Sequence, residues 1–148
     1  MIGQVEYRAG AMSPADAAGR DDVSRPLSVL VVDDDPILRI VLRSLMESLG
    51  CVVEEADDGA AALRSLRETT GVVLLDLVMP VLGGVETCRS IRGGTTNPHV
   101  FVCVVSSSAD PDSHRAAQEA GADEILRKPV SKEQLAAMIA RVAARRAG

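Results

Sequence analysis

Acidic, hydroxyl and ammonium side chains stand directly after short apolar runs of this sequence. Asp33 and Asp34 follow the first of five such runs, Asp76 follows the third, Ser106 follows the fourth, and Lys128 lies just beyond the last. Each residue on its own is typical of a solvated turn, a helix cap or an exposed surface. Three carboxylates gathered at one place repel one another unless a cation joins them. The combination therefore indicates a site for a divalent cation.

The residue types at that site predict phosphoryl chemistry. Mg²⁺ prefers oxygen ligands and typically binds one or two carboxylates together with phosphate. Lys128 offers a point positive charge to a phosphoryl oxygen, or to Asp76 when that residue is unmodified, and Ser106 offers a hydroxyl donor. Phosphoryl transfer needs an in-line nucleophile and neutralisation of the equatorial oxygens. Asp76 can be that nucleophile and form an acyl phosphate.

The elements that must position these residues are five strands alternating with five helices. The first run, residues 27–32, is too short for a helix and is typical of a strand buried on both faces. Asp35 and Pro36 predict the start of the first helix and Gly50 its end, while Ser131 and Gln134 form a capping box for the last. The strands are predicted at residues 27–32, 51–55, 72–75, 100–105 and 123–126, and the helices at 36–49, 59–68, 84–92, 112–120 and after 131.

This alternation predicts an α/β fold with one parallel sheet covered by helices on both faces. Right-handed crossovers and the chain length favour a doubly wound, flavodoxin-like (βα)5 arrangement with strand order 2-1-3-4-5. Ligands of such sheets bind beyond the carboxyl ends of the strands, near the switch between strands 1 and 3. We therefore expect the polar residues after the strands to share one pocket.

Composition and charge narrow the classes of function. The 148 residues are 47% hydrophobic and 25% charged, which indicates a globular chain with one buried core. The formal net charge of -5 argues against a nucleic acid as a direct partner, since phosphate binding needs a clustered basic surface. No apolar stretch approaches the roughly 20 residues that span a bilayer, and the N-terminus lacks the apolar core of a secretory signal.

The cysteines and the N-terminal segment bear on location and organisation. Cys51, Cys88 and Cys103 are widely spaced in or beside apolar runs, a pattern typical of buried thiols in a reducing cytoplasm. We therefore expect a cytoplasmic protein without a membrane segment. Residues 1–26 show no sustained periodicity and are expected to be a flexible tail, with one domain over residues 27–148.

Four segments in order resemble the signatures of bacterial two-component response-regulator receiver domains. They are V-L-V-V-D-D-D, V-V-L-L-D-L-V-M-P, V-V-S-S-S and L-R-K-P, and the resemblance covers residues 27–144. The resemblance implies a stand-alone receiver that takes a phosphoryl group onto Asp76 with Mg²⁺ and that is not an enzyme beyond self-catalysed phosphotransfer and slow autodephosphorylation. It also implies a cis Lys128–Pro129 bond.

The resemblance assigns a role to each site residue. It implies that Asp34 touches Mg²⁺ directly, that Asp33 acts largely through water, and that Asp76 and the backbone carbonyl of Val78 complete the protein ligands. Ser106 would be the switch hydroxyl and Lys128 the phosphate-binding lysine.

Three positions qualify what the resemblance implies. Many members of the family have Tyr or Phe three residues before the lysine as a rotamer switch, where this chain has Ile125. Gly83 stands where the family often has Asp, so we expect a looser loop after Pro80. Val78, two residues past Asp76, can neither orient nor hydrogen-bond a hydrolytic water, and we expect a long-lived acyl phosphate.

The signal would leave through protein contacts. The resemblance implies a histidine kinase or histidine phosphotransfer protein as phosphodonor, and a downstream protein that binds the face of helix 4, strand 5 and helix 5. His99 and His114 are interpreted as surface residues, so the phosphodonor histidine must come from another protein. The arginines near the chain end are explained by favourable placement at a helix C-terminus (Arg141, Arg145 and Arg146).

Two other classes of function remain open at the level of sequence. Asp33-x-Asp35 superficially fits the opening motif of a haloacid-dehalogenase-like phosphohydrolase with Asp33 as nucleophile. However, Ile37 replaces the usual Thr, and no acidic pair follows Lys128. The second alternative is a protein-binding pseudo-receiver that is never phosphorylated. A dinucleotide-binding domain is excluded, because acids follow the first strand where a Gly-rich loop should stand.

Overall fold

The fold is a five-stranded parallel sheet between two layers of helices, in a computed structural model that describes residues 25–147. The strands are β1 (Ser28–Val32), β2 (Val52–Ala56), β3 (Val72–Asp76), β4 (Phe101–Ser106) and β5 (Glu124–Arg127). They are hydrogen-bonded in the order β2-β1-β3-β4-β5, all in parallel. The predicted α/β class and strand order are confirmed. The N-terminal tail expected at residues 1–26 falls, except for its last two residues, outside the described part of the chain.

The helices are α1 (Pro36–Ser48), α2 (Gly59–Ser65), α3 (Gly84–Gly93), α4 (Pro111–Glu119) and α5 (Lys132–Ala147). The predicted caps are confirmed: Asp35 Oδ1 accepts from the N–H groups of Ile37 and Leu38 at 2.9 and 3.4 Å. At the start of α5, Ser131 and Gln134 exchange the two hydrogen bonds of a capping box.

Helix α2 is shorter than the sequence predicted. It was expected to run through residue 68, but it ends at Ser65, and Leu66 adopts an extended conformation with φ -63° and ψ 133°. The Leu66 side chain is buried, and the Arg67 N–H donates to Thr70 Oγ1 at 3.0 Å. A turn closed by this hydrogen bond thus replaces the last helical residues.

Alternating strand residues build the core on both sides of the sheet. Leu30 and Val73 pack into the cluster that α2, α3 and α4 cover, whereas Val31 and Leu74 pack into the cluster beneath α1 and α5. This alternation follows from the two-residue period of a strand. Because both faces are covered, the three central strands β1, β3 and β4 are apolar except at their ends, where their polar residues are left.

A close approach of backbone segments fixes the start of α3 beside the end of β3. A Cβ added to Gly84 would lie 2.5 Å from the carbonyl oxygen of Asp76 and 2.8 Å from Cα of Leu77. Only glycine fits at this point. The first residue of α3 therefore packs directly against the chain that leaves Asp76. Within residues 25–147, no helix has both the length and the apolar character needed to cross a membrane.

Candidate functional site

Three neighbouring strands bring polar side chains together at the end of the sheet formed by their carboxyl termini. Asp33 follows β1 and is 1% exposed, Asp76 ends β3 and is 7% exposed, and Ser106 ends β4 and is 1% exposed. The register of β3 and β4 places Asp76 beside Val105, so Ser106 is one residue further along. The backbone N–H of Lys128 donates to the Ser106 carbonyl at 2.8 Å, which holds the segment after β5 at the same end of the sheet. The predicted site residues therefore do meet.

Three carboxylates form the centre of this site. Oxygens of Asp33, Asp34 and Asp76 all lie within 4.8 Å of one another. Asp33 and Asp76 are buried, whereas Asp34 is exposed and lies on the solvent side of the cluster. Two buried carboxylates this close are costly unless positive charge compensates them.

Lys128 supplies part of that compensation. Its Nζ lies 3.1 Å from Asp33 Oδ2 and 3.3 Å from Asp76 Oδ1, with the side chain 17% exposed. Burial disfavours the charged ammonium, but its hydrogen bond to Asp33 and the charges of both aspartates outweigh burial and raise the pKa of Lys128. Lys128 is therefore charged at neutral pH, and one ammonium faces three carboxylates.

The electrostatic balance at Asp76 shows that the compensation is incomplete. Burial, and after it the negative charge of Asp33, raises the pKa of Asp76 above its usual range. The charge and hydrogen bond of Lys128 and the backbone N–H of Val78 act in the opposite direction without cancelling the rise. A further cation would favour the ionised form, which is the nucleophilic one.

The consecutive aspartates after β1 differ in their hydrogen bonds. Asp33 Oδ1 accepts from the Asp35 N–H at 2.9 Å, and Oδ2 accepts from Lys128, so both oxygens of Asp33 are held. Arg39 also donates to the Asp33 carbonyl at 2.7 Å. The Asp35 side chain turns away from the cluster to cap α1. Only Asp34 presents its carboxylate to solvent at the cluster.

Ser106 makes its hydrogen bonds within the loop that follows β4. Its Oγ accepts from the Ser108 N–H at 3.0 Å and lies 3.5 Å from the Ser108 carbonyl oxygen. The hydroxyl is thus at the strand end where the resemblance placed it, within 3.5 Å of an acceptor in the loop.

The three positions that qualify the resemblance, and Val81 in the same loop, also have defined surroundings. Ile125 lies beside Val104 in the β4–β5 pairing and packs half-buried against the core. The Val78 side chain is 73% exposed. Val81 adopts φ 69°, an unusual conformation for a β-branched residue. The Gly83 carbonyl accepts from the Thr87 hydroxyl at 2.7 Å. That the loop after Pro80 is looser than in the family stays a prediction.

The cis geometry implied for Lys128–Pro129 is present. His114, interpreted from the sequence as a surface residue, is partly exposed, and its Nε2 lies 2.8 Å from the Ser108 carbonyl oxygen, a contact that was not predicted. Arg39 was also missed as a residue that supports Asp33. Neither contact has a signal in the sequence, since each depends on how a helix packs against a strand end.

The donor set fits Mg²⁺. All three groups are carboxylate oxygens, which suit a hard cation, and their mutual separations within 4.8 Å are comparable to the roughly 4.2 Å between opposite oxygen ligands of Mg²⁺. The surplus negative charge left by Lys128 points to the same conclusion. The carbonyl of Val78 as a fourth protein ligand remains a prediction.

Comparisons with known protein families and relatives give matches over most of the chain. Residues 29–140 match the family model described as "Response regulator receiver domain". The "Two-component response regulator ORR41" of Oryza sativa subsp. japonica is 39% identical over 121 residues, which cover 78% of this chain and 93% of that protein. The "Transcriptional regulatory protein CpxR homolog" of Haemophilus influenzae is 38% identical over 75% of this chain. The matched part is 48% of that relative's length, so the chain spans about half of it.

A solved structure with a similar fold contains the metal in question. The receiver domain of the sensor histidine kinase PA1611 from Pseudomonas aeruginosa PAO1 superposes with a TM-score of 0.74 at 26% identity. The match covers 81% of this chain and 99% of that one. In that receiver domain a magnesium ion is coordinated in the active site cleft.

Proposed function

The chain belongs to the response regulator receiver domain family, a family of phosphorylation-dependent two-component signalling modules, and from this premise we propose that Asp76 is its phosphoacceptor. The observation that best supports the proposal is the position of Lys128. Its ammonium contacts both Asp33 and Asp76, residues far apart in sequence, within a cluster of carboxylates at the strand ends. This arrangement matches what phosphoryl transfer to a carboxylate requires.

In the proposed reaction, an Asp76 carboxylate oxygen attacks phosphorus while the bond from phosphorus to the donor's leaving group breaks. The donor is the phosphohistidine of a histidine kinase or of a histidine phosphotransfer protein, and its imidazole leaves. Lys128 moves its contact from Asp76 to a phosphoryl oxygen and neutralises part of its charge. Ser106 donates its hydroxyl proton to a second phosphoryl oxygen.

Asp33, Asp34, Asp76 and the carbonyl of Val78 would hold Mg²⁺. Bound there, the ion supplies charge neutralisation for the transferring phosphoryl group. Asp76 is preferred over Asp33 as the nucleophile because it is the more exposed of the two carboxylates, at 7% against 1%.

The phosphohydrolase alternative is disfavoured by the geometry of Asp35. That hypothesis requires Asp35 to act at the reaction centre two residues after Asp33. Its side chain instead caps α1 through the N–H groups of Ile37 and Leu38. The pseudo-receiver alternative is disfavoured because the site keeps an acidic cluster, a hydroxyl and a lysine together.

The proposal includes the organisation and setting of the chain. We place the receiver domain over residues 27–148 and its downstream contact on the face formed by α4, β5 and α5. The three cysteines are buried free thiols, which suits a cytoplasmic location. The chain acts in this proposal as a phosphoacceptor rather than as an enzyme that turns over an external substrate.

The test is incubation with acetyl phosphate and Mg²⁺, followed by intact-mass measurement. We expect the mass of one phosphoryl group on the wild type, none on Asp76→Asn, and little release of phosphate over many equivalents of donor. Rapid release of phosphate that persists in Asp76→Asn and is lost in Asp33→Asn would instead favour the phosphohydrolase. Absence of both products in a folded protein that binds Mg²⁺ would favour the pseudo-receiver.

A further inference from the structure

Ser108 links the end of β4 to the beginning of α4 through hydrogen bonds of its N–H, its hydroxyl and its carbonyl. Its N–H donates to Ser106 Oγ at 3.0 Å. Its own hydroxyl oxygen accepts from the Asp110 N–H at 3.0 Å, and its carbonyl oxygen lies 2.8 Å from His114 Nε2. Since a carbonyl only accepts, Nε2 of His114 carries a proton and donates it. One residue thus contacts both the proposed switch hydroxyl and the helix.

The groups on the helix side belong to the first turns of α4. Asp110 is the N-cap of α4 and accepts from the Asp112 N–H and the Ser113 hydroxyl. The backbone N–H of His114 donates to the Asp110 carbonyl at 3.2 Å and forms the first hydrogen bond of the helix. A displacement of Ser108 would therefore act on the cap of α4 and on the His114 ring together.

Ser106 and His114 share one acceptor. The Ser108 carbonyl oxygen lies 3.5 Å from Ser106 Oγ and 2.8 Å from His114 Nε2. A serine hydroxyl has a single proton, so Ser106 can donate either to Ser108 or to a phosphoryl oxygen on Asp76. Phosphorylation would end the donation from Ser106 and leave His114 as the side-chain donor to that carbonyl.

We propose that His114 couples the Ser106 hydroxyl to helix α4 through the Ser108 carbonyl, so that α4 reports the phosphorylation of Asp76. This inference rests on the proposed function of Asp76. It gives the chain a readout that does not require an aromatic residue at position 125, where Ile125 packs half-buried against the core. His114 is a positioning residue here, since it touches neither the phosphoryl group nor the carboxylates.

The size of the effect follows from the number of bonds involved. One neutral hydrogen bond changes a two-state equilibrium by about two- to tenfold. Removing the His114 donor should therefore change the population of the active arrangement of α4 by about that factor. Binding of a phosphoryl group or its mimic at Asp76 should be changed much less.

The first test uses the wild-type protein and NMR of its two histidine rings. The ring ¹⁵N signals are recorded with Mg²⁺ before and after saturation with beryllofluoride, which imitates a phosphoryl group on aspartate. His99 precedes β4, at the end of the sheet opposite to the site, and serves as an internal control. We expect the Nε2 signal of His114 to shift and that of His99 to stay. A His114 ring that is unchanged while the Asp76 amide responds would overturn the inference.

The second test compares variants on α4. His114→Ala removes the donor, His114→Gln keeps an N–H donor on a side chain of similar reach, and Gln118→Ala changes an exposed residue one turn later as a matched control. We expect His114→Ala to lose at least about half of the beryllofluoride-induced shifts of the α4 amides, and the other two variants to keep them. A full α4 response in folded His114→Ala would contradict the inference.

The design separates this inference from the proposed function. Saturable beryllofluoride binding that depends on Asp76 supports the phosphoacceptor assignment, whatever α4 does. If Asp76→Asn and the wild type respond identically, the proposed function fails and the coupling fails with it. If binding is intact and only the His114-dependent response is absent, the coupling alone is wrong.

Discussion

At the scale of the residue, the aspartates in and beside the site differ in burial and in hydrogen bonding although their side chains are chemically identical. Asp33 is buried and fully hydrogen-bonded, Asp34 is exposed at the cluster, and Asp35 caps a helix. Asp76 has one oxygen in contact with Lys128 and lies in surroundings that raise its pKa. These differences follow from position in the fold, since the side chains themselves are the same.

Val78 is the position where a single substitution should alter the lifetime of the phosphorylated state. Its side chain is exposed beside the site but cannot hydrogen-bond a water. We expect Val78→Asn to hydrolyse the acyl phosphate several-fold faster, up to about tenfold, which is the effect of one positioned hydrogen bond on a rate. The measurement is the decay of phosphorylated protein after removal of the donor.

The matched control for that experiment is Val81→Asn. Val81 is also exposed in the same loop, and its positive φ suits Asn. We expect this variant to decay like the wild type. If Val78→Asn decayed as slowly as the wild type, Val78 would not be the reason for slow hydrolysis of the acyl phosphate.

Cys103 should be chemically inert in the folded protein. It lies in the central part of β4, and burial raises its pKa to about 12. At pH 8 the thiolate fraction is then about one in ten thousand, and the thiolate is the reactive form. We expect iodoacetamide to modify Cys103 only after unfolding, as read by peptide mass spectrometry. Native labelling at the rate of an exposed thiol would contradict the packing of β4.

At the scale of the element, ion pairs join the helices to the ends of the outer strands. The Arg145 Nη1 lies 2.9 Å from Asp123 Oδ1. Its Cζ lies over the ring of Phe101, 5.1 Å from the ring centroid. Arg141 pairs with Glu124 on β5. The arginines of α5 were explained from sequence by the dipole of their own helix. Two of them also pair with carboxylates of β5 or of the residue just before it.

At the other side of the sheet from β5, Glu55 of the edge strand β2 accepts hydrogen bonds from two arginines of α1. Its hydrogen bond to Arg43, and next that to Arg39, lowers the pKa of Glu55. A depressed pKa adds stability that is present above the unfolded-state value of about 4.3 and is lost as the pH falls through the folded-state value. We expect Glu55→Gln to be less stable than the wild type at pH 7, with the difference narrowing below about pH 5.

Denaturant unfolding at several pH values measures this difference. Glu47→Gln is the matched control, because Glu47 pairs with the same Arg43 but on the exposed surface of α1. Exposed pairs of this kind contribute little, so its effect should be smaller at every pH. A difference for Glu55→Gln that stays constant with pH would contradict the role of the ion pairs.

The elements differ in how well the sequence determines them. Strand order, strand identity and the caps at Asp35 and Ser131 were predictable, because apolar runs and capping residues are local signals. Strands β2, β4 and β5 each lie one residue later than expected. For β2, the Cys51 N–H donates to the Met46 carbonyl and so stays with the end of α1. Such competition for a backbone hydrogen bond has no local signal.

The candidate site was predictable as a set of residues but not as a network. Strand ends in a parallel sheet must meet, so the association of Asp33, Asp76, Ser106 and Lys128 followed from the order of elements. The link from Ser108 to His114 depends on the orientation of α4 and could not be derived. The roles of the set in phosphorylation remain proposals at each residue.

At the scale of the whole molecule, the site concentrates negative charge in a chain that is already acidic, with a formal net charge of -5. Two of the three carboxylates are buried beside a single lysine. Their mutual repulsion in the folded state is relieved when the chain unfolds. A bound divalent cation should therefore stabilise the fold as a whole.

The expected stabilisation can be measured by unfolding with and without Mg²⁺. At a free concentration of 100 times the dissociation constant, binding to the folded state alone adds about 2.7 kcal/mol. We expect the unfolding midpoint to rise with Mg²⁺, to fall back when a chelator removes the ion, and to be nearly insensitive to Mg²⁺ in Asp34→Asn. An equal response in Asp34→Asn and the wild type would place the ion elsewhere.

The most direct test is to locate the phosphoryl group itself. The phosphorylated protein is reduced with borohydride, which converts only an acyl phosphate of aspartate into homoserine, and its peptides are sequenced by mass spectrometry. The account predicts homoserine at position 76, dependent on Mg²⁺ and on a phosphodonor. Homoserine at position 33 or 34, or modification that survives in Asp76→Asn, would contradict it.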